Sequence, residues 1–114
     1  MIAVIFEVLP KPGKKETYLN IASALRVELL KIEGFVSIER FQSLSDPSKL
    51  LSLSFFKDEQ AVMQWRQLEV HRKAQAAGRE TVFDNYRLRV AHVLRDYGLN
   101  ERYEAPVDNR IANG

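Results

Sequence analysis

The sequence predicts an α+β fold of element order βαββαβ, the ferredoxin-like arrangement in which one antiparallel sheet carries both helices on a single face. Three observations support this. Four short runs are rich in β-branched and aromatic residues, two intervening stretches carry helical periodicity, and Pro, Gly or Asp punctuates most of the junctions.

In chain order, "IAVIFEVL" is a first strand stopped by Pro10, Pro12 and Gly13. From Lys14 to Ile32, apolar Tyr18, Ile21, Ala22, Leu25, Leu29 and Ile32 recur at spacings of three and four, and Gly34 stops that helix. "FVSIERFQS" and "LLSLSFF" flank the turn "LSDPSK" and form a hairpin. Asp58 is placed to cap a second helix bearing Ala61, Val62, Trp65 and Leu68 on one side and ending near Gly78. "YRLRVAHVLRDY" is the last strand. We therefore expect a domain over residues 1–98 and a C-terminal arm or frayed tail over residues 99–114, where the chain turns polar.

Composition narrows the function. The 114 residues suit one domain, and 46% hydrophobic with 28% charged residues is ordinary globular usage. Seventeen Lys and Arg against fifteen Asp and Glu give a net charge of +2 with the signs interspersed, so no nucleic-acid partner is expected. The absence of cysteine excludes disulfides, thiolate catalysis and Cys-ligated metal, and suits a reducing cytoplasm. The opening "MIAVIFEVLPKPGKK" has no basic region ahead of its apolar run, carries Glu7 and is too short to span a bilayer, so no membrane partner is expected. No HExxH, GxGxxG, P-loop or nucleophile elbow appears, and the two histidines lie far apart, so no metal site, dinucleotide site or serine nucleophile is expected.

Strand one presents Val4, Phe6 and Val8 on one side and Ala3, Ile5 and Leu9 on the other. One side faces the chain's own helices, and the other needs a cover. A second copy packed face to face gives a homodimer; the arm folding back is the alternative.

Chemistry concentrates in "WRQLEVHRKAQAAGRETVFDNYRLRVAHVLRDYG", which holds the sole tryptophan and both histidines. Trp65 is either a core residue or a flat wall for an aromatic ligand. At about 100° per residue, Glu69 falls roughly 40° and Arg72 roughly 20° from Trp65, so an acid and a cation flank the indole, unless they form only a surface pair. His71 lies about 120° from Trp65 and faces the same ligand only if the helix breaks. His92 shares a strand face with Leu88, Val90 and Leu94; it is a packed histidine, or a base if a pocket reaches it. Arg87, Arg89 and Arg95 take the opposite face as an ion-pair row or an anion holder. Glu7, the one charge in strand one, is a candidate acid or base, or the acceptor of an arginine pair. Tyr86 opens the last strand and joins the candidate substrate contacts.

Through "VIFEVLPKPGKKETY", "DEQAVMQW" and "RVAHVLRDYG", residues 1–98 resemble the antibiotic biosynthesis monooxygenase family of dimeric α+β barrels. The resemblance implies two sheets pairing face to face, and a pocket in each subunit between the sheet and the second helix. Several members use that pocket to oxygenate aromatics without flavin or metal, and relatives use it to break down haem. Haem-degrading relatives carry an asparagine on strand one and an axial histidine about three turns past the tryptophan; here those positions fall at Glu7 and near Gln75, which disfavours haem. The expected function is a cofactor-independent monooxygenase oxidising a small aromatic, a quinol or polyketide-like phenol, with molecular oxygen. Its catalytic candidates are Trp65, His71, His92 and Glu7, and its substrate-binding candidates are Trp65, Glu69, Arg72 and Tyr86. The alternatives are a non-catalytic dimeric binding or stress-related module, and a haem-binding protein using His71 or His92.

Overall fold

The computed structural model describes residues 1–75 and 82–107, with only the backbone course given for residues 69–75. Its elements are β1 (Ile2–Pro10), α1 (Lys15–Leu29), β2 (Phe35–Gln42), β3 (Leu50–Phe56), α2 (Glu59–Gln75) and β4 (Phe83–His92). The four strands form one antiparallel sheet in the order β2-β3-β1-β4. This is the ferredoxin-like α+β order anticipated from the sequence.

Local chemistry sets the boundaries. Helix α1 ends at Leu29, and the chain winds through a turn to Gly34 at φ 92°, a left-handed conformation open to glycine. A Cβ at Gly34 would stand 3.1 Å from Ala61 Cβ, and the Gly34 carbonyl accepts from Lys57 N–H at 2.7 Å, so the close approach itself needs glycine. Asp58 caps α2 as the sequence indicated: its Oδ1 accepts from Ala61 N–H at 3.0 Å. The hairpin turn is held by Asp46, whose Oδ1 accepts from Ser48 N–H at 3.2 Å and whose carbonyl accepts from Lys49 N–H at 2.9 Å. The proposed end of α2 near Gly78 lies outside the described residues.

Strand β4 differs from its sequence-based bounds at both ends. It begins at Phe83, because an irregularity between Leu9 and Pro10 lets Phe83 pair with Pro10, and it ends at His92, opposite Ile2. The ladder stops where β1 stops, so Leu94 and Arg95 lie beyond the strand and take neither face of it.

Register sorts the side chains into two faces. Ile2 and Val4 enter one buried cluster with Leu29 and Ile32 from the α1 segment and Ala61 and Val62 of α2. Val8 enters a second with Tyr18, Leu50 and Val82. Both helices therefore cover the side of β1 that carries Ile2, Val4 and Val8. On the other side Ile5 and Leu9 of β1 and Leu51, Leu53 and Phe55 of β3 are only partly buried, and neither cluster includes them. As the sequence indicated, Val4, Phe6 and Val8 share the face toward the chain's own helices, and Ala3, Ile5 and Leu9 take the other.

Candidate functional site

On the helix-covered face, the inward residues of β3 run Leu50, Ser52, Ser54, Phe56. Leu50 belongs to one apolar cluster and Phe56 to the other, with two serines between them. These serines are 7% and 3% exposed, and Ser54 Oγ donates to the Val4 carbonyl at the long distance of 3.5 Å. Two small polar residues where bulky apolar ones would close a core leave the two clusters separate, with a polar floor between them. We take this floor as the candidate site.

Its surroundings follow from the ladder. Ser52 lies opposite Arg40 on β2 and Phe6 on β1, and Phe6 in turn lies opposite Leu88 on β4. This row crosses the sheet from a cation through a hydroxyl to aromatic and aliphatic groups. A bulge between Phe35 and Ser37 sets its β2 end, since the extra residue brings Phe35, Ile38 and Arg40 to the same face. One step along the strands, Ser54 lies opposite Ile38 and Val4, and Val4 opposite Val90. Leu88 and Val90 are 42% and 51% exposed, so the β4 end of this face is apolar and open.

Trp65 projects from α2 onto the same face. It is partly buried against the first cluster, with its ring centroid 6.3 Å from that of Phe56 at an interplanar angle of 56°. It is thus partly a core residue, against aromatic rather than purely aliphatic neighbours. Tyr86 stands at the other end, opposite Val8, with its ring 5.6 Å from Phe6 and 6.0 Å from Phe83. Tyr18 joins this group through Phe83 at 5.8 Å. His92 shares the face, opposite Ile2, and is exposed.

Glu7 is placed elsewhere. Its position between Phe6 and Val8 turns it to the uncovered face, away from Trp65. There it accepts a hydrogen bond from Arg89 Nη1 at 2.9 Å and lies 3.5 Å from Lys49 Nζ. The Arg89 hydrogen bond, then the Lys49 charge, hold its carboxyl below the ordinary range. Arg87 and Arg89 line this same face. The side chains of Glu69, His71 and Arg72 lie outside those described.

Two groups at the site were not singled out from the sequence: Arg40 and the serine pair. Arg40 was hidden because strict alternation from Phe35 assigns it to the wrong face. The serines were hidden because a reader of "LLSLSFF" buries the leucines. The one usable signal is that both alternating sets of this strand are needed, one for each face.

Among the described residues no group of three or more His, Cys, Asp or Glu gathers as a metal site, and no described helix is long and apolar enough to cross a membrane.

Residues 1–77 match the family model for antibiotic biosynthesis monooxygenase, and the chain belongs to that family. It is 46% identical over 101 residues to a protein of Pyricularia oryzae named jasmonate monooxygenase ABM. That match takes in 89% of this chain and 47% of the relative, so the chain spans about half the relative's length. Solved structures agree on the fold. A protein of Mycobacterium tuberculosis superposes with a TM-score of 0.71 at 17% identity, covering 85% of this chain and 98% of its own. A conserved protein of Methanosarcina mazei gives 0.68 at 24% identity, covering 80% and 90%.

Proposed function

We propose that the protein is a monooxygenase that holds a small ring compound on the helix-covered face, between the two apolar clusters. The observation that carries this reading is that Trp65 packs on the same helix-covered face that holds the buried Ser52 and Ser54, in a chain of the monooxygenase family. A flat indole at one end, aromatic Phe6 and Tyr86 toward the other, and an open β4 edge suit a planar substrate.

The substrate class expected from the sequence, a quinol or polyketide-like phenol, can supply all the electrons itself. The keto tautomer of an anthrone-type phenol carries a ring CH2 that loses a proton, and O2 oxidises the anion to a ring C=O plus water; a quinol deprotonated at oxygen gives a hydroxyquinone plus water in the same way, with no external reductant. The protein's part is a base for that proton and a donor for the resulting anion. Among the candidates with a described position, His92 shares the face with Trp65, whereas Glu7 lies across the sheet with its basicity lowered. We assign the base to His92 and substrate stacking to Trp65 and Tyr86.

A second reading comes from the Pyricularia oryzae relative, whose name points to jasmonate. Inserting oxygen into an aliphatic C–H to give an alcohol and water needs two further electrons, so that reaction depends on an added reductant. An oxygen electrode separates the two readings. Uptake with a quinol or anthrone-type phenol and no reductant supports the first; uptake with jasmonate only when a reductant is present supports the second. No uptake in either case, beside tight ligand binding, leaves a binding module, and a Soret shift on adding hemin would favour haem.

The uncovered face supports a homodimer, with Ile5, Leu51, Leu53 and Phe55 meeting their counterparts. Within it we place the catalytic unit in residues 1–98 and regard residues 99–114 as an arm. The cysteine-free composition supports a cytoplasmic location.

A further inference from the structure

Arg40 is the unexplained group on the helix-covered face. Its Nε is buried and makes no hydrogen bond, and among the described residues no carboxylate pairs with its guanidinium. A buried, unpaired N–H on a cation is costly to leave in a fold, so its retention points to a ligand that completes it. Ser52, directly opposite on β3, is 7% exposed and its hydroxyl is committed to no protein partner among the described residues.

The surroundings at this end are cationic. Arg26 of α1 reaches across to donate to the Ile38 carbonyl at 3.1 Å, two residues from Arg40, and has no carboxylate partner among the described residues. The neighbouring acid of β2, Glu39, lies opposite Leu53 and so faces away. Further along the same row the groups turn apolar, with Phe6 and then Leu88. Three strand spacings separate Arg40 from Leu88, about 14 Å, the length of a small molecule with an acid at one end and a hydrocarbon body at the other.

We propose that Arg40, with the Ser52 hydroxyl, binds a carboxylate of the substrate, so that its apolar body lies across Phe6 toward Leu88 and within reach of Trp65. The guanidinium edge formed by Nε and one Nη matches the two oxygens of a carboxylate, which a hydroxyl or ester does not reproduce. This rests on the reading of the helix-covered face as the substrate site. It adds that the substrate is an acid and states which way round it lies.

Trp65 is the sole tryptophan, so its emission reports binding directly. The test titrates jasmonate and its methyl ester into the full chain, the wild type beside Arg40→Gln and Ser52→Ala. The wild type should bind the acid about tenfold or more tighter than the ester, Arg40→Gln should erase that preference while keeping ester binding, and Ser52→Ala should reduce it a few-fold. Thermal melts without ligand supply a second readout. Arg40→Met should melt no lower than wild type, because it removes an unpaired cation. Equal binding of acid and ester by wild type, no binding of either, a preference that survives Arg40→Gln, or an Arg40→Met protein that melts lower or does not fold would each overturn the proposal. Oxygen uptake is recorded separately. Uptake without acid preference sinks this proposal and spares the oxygenase reading; acid preference without uptake does the reverse.

Discussion

Arg89 Nη1 and Glu7 Oε2 meet at 2.9 Å on the uncovered face of the sheet, one strand apart and on the opposite side from Trp65. The pair shares that face with Arg87 and Glu39 as well as with Ile5, Leu51, Leu53 and Phe55, so a partner there must be apolar in part and able to satisfy or tolerate charge. With Lys49 at 3.5 Å from the same carboxylate, the ion pairs also set a pH response.

The folded carboxyl of Glu7 titrates below its ordinary value of 4.5, first because of the Arg89 hydrogen bond and then the Lys49 charge. A depressed carboxylate contributes stability that is present above its unfolded pKa and is lost as pH falls through the folded one. Stability should therefore drop on acidification below about pH 4.5, and Glu7→Gln should flatten that part of the curve. Denaturation midpoints across this window check it, and an unchanged slope in Glu7→Gln would remove the pair from the account.

The base assignment makes a contrast between two faces. Alanine at His92 should lower oxygen uptake about a hundredfold, whereas Glu7→Ala should leave it within a few-fold of wild type. Parallel rates on folded variants decide the matter. A large loss in Glu7→Ala, or in His71→Ala with His92→Ala unaffected, would move the base elsewhere.

Trp65 joins the core and the site, so its substitutions should split two readouts. Trp65→Ala should cost about 3 kcal/mol of stability, the low end for removing so large a side chain, since it is only partly buried. Trp65→Phe should keep most of that stability and raise the substrate KM more than it lowers kcat if stacking is its role. A kcat loss as large as that of His92→Ala would assign the indole N–H to anion stabilisation instead.

Gly34 should resist any side chain. Alanine there meets both a φ of 92° and a Cβ contact of 3.1 Å with Ala61. A loss of about 1–3 kcal/mol is expected, read from chemical denaturation. Gly13, whose φ is 79° but whose added Cβ would meet nothing within 4 Å, should cost less.

Assembly is read from sedimentation. The wild type should sediment as a dimer of the 13.2 kDa chain at micromolar concentration. Leu53→Arg, on the uncovered face and away from the serine floor, should give a folded monomer. A wild-type monomer would leave the exposed face to another cover.

The sequence by itself determined the element order, the cap at Asp58, the glycine of the turn at Gly34, the apolar stripe of α2 ending at Trp65 and Leu68, and the family. Each of these is written in local spacing: periodicities of two and 3.6, a capping side chain, a glycine where the backbone turns left-handed. Helix α1, by contrast, ends at Leu29, short of the Ile32 that its spacing suggested. What lay on which face was decided by tertiary structure. Alternation in "LLSLSFF" separates the serines from the leucines but does not say which set meets the helices; the pairing with β1 turns Ser52 and Ser54 inward and leaves Leu51 and Leu53 to the other side. Likewise the bulge after Phe35 carries Arg40 to the helix-covered face, and the β1–β4 register turns Glu7 toward Arg89 and away from Trp65. A register shift of one residue exchanges the two faces of a strand, and it is set by long-range hydrogen bonding that no local window contains.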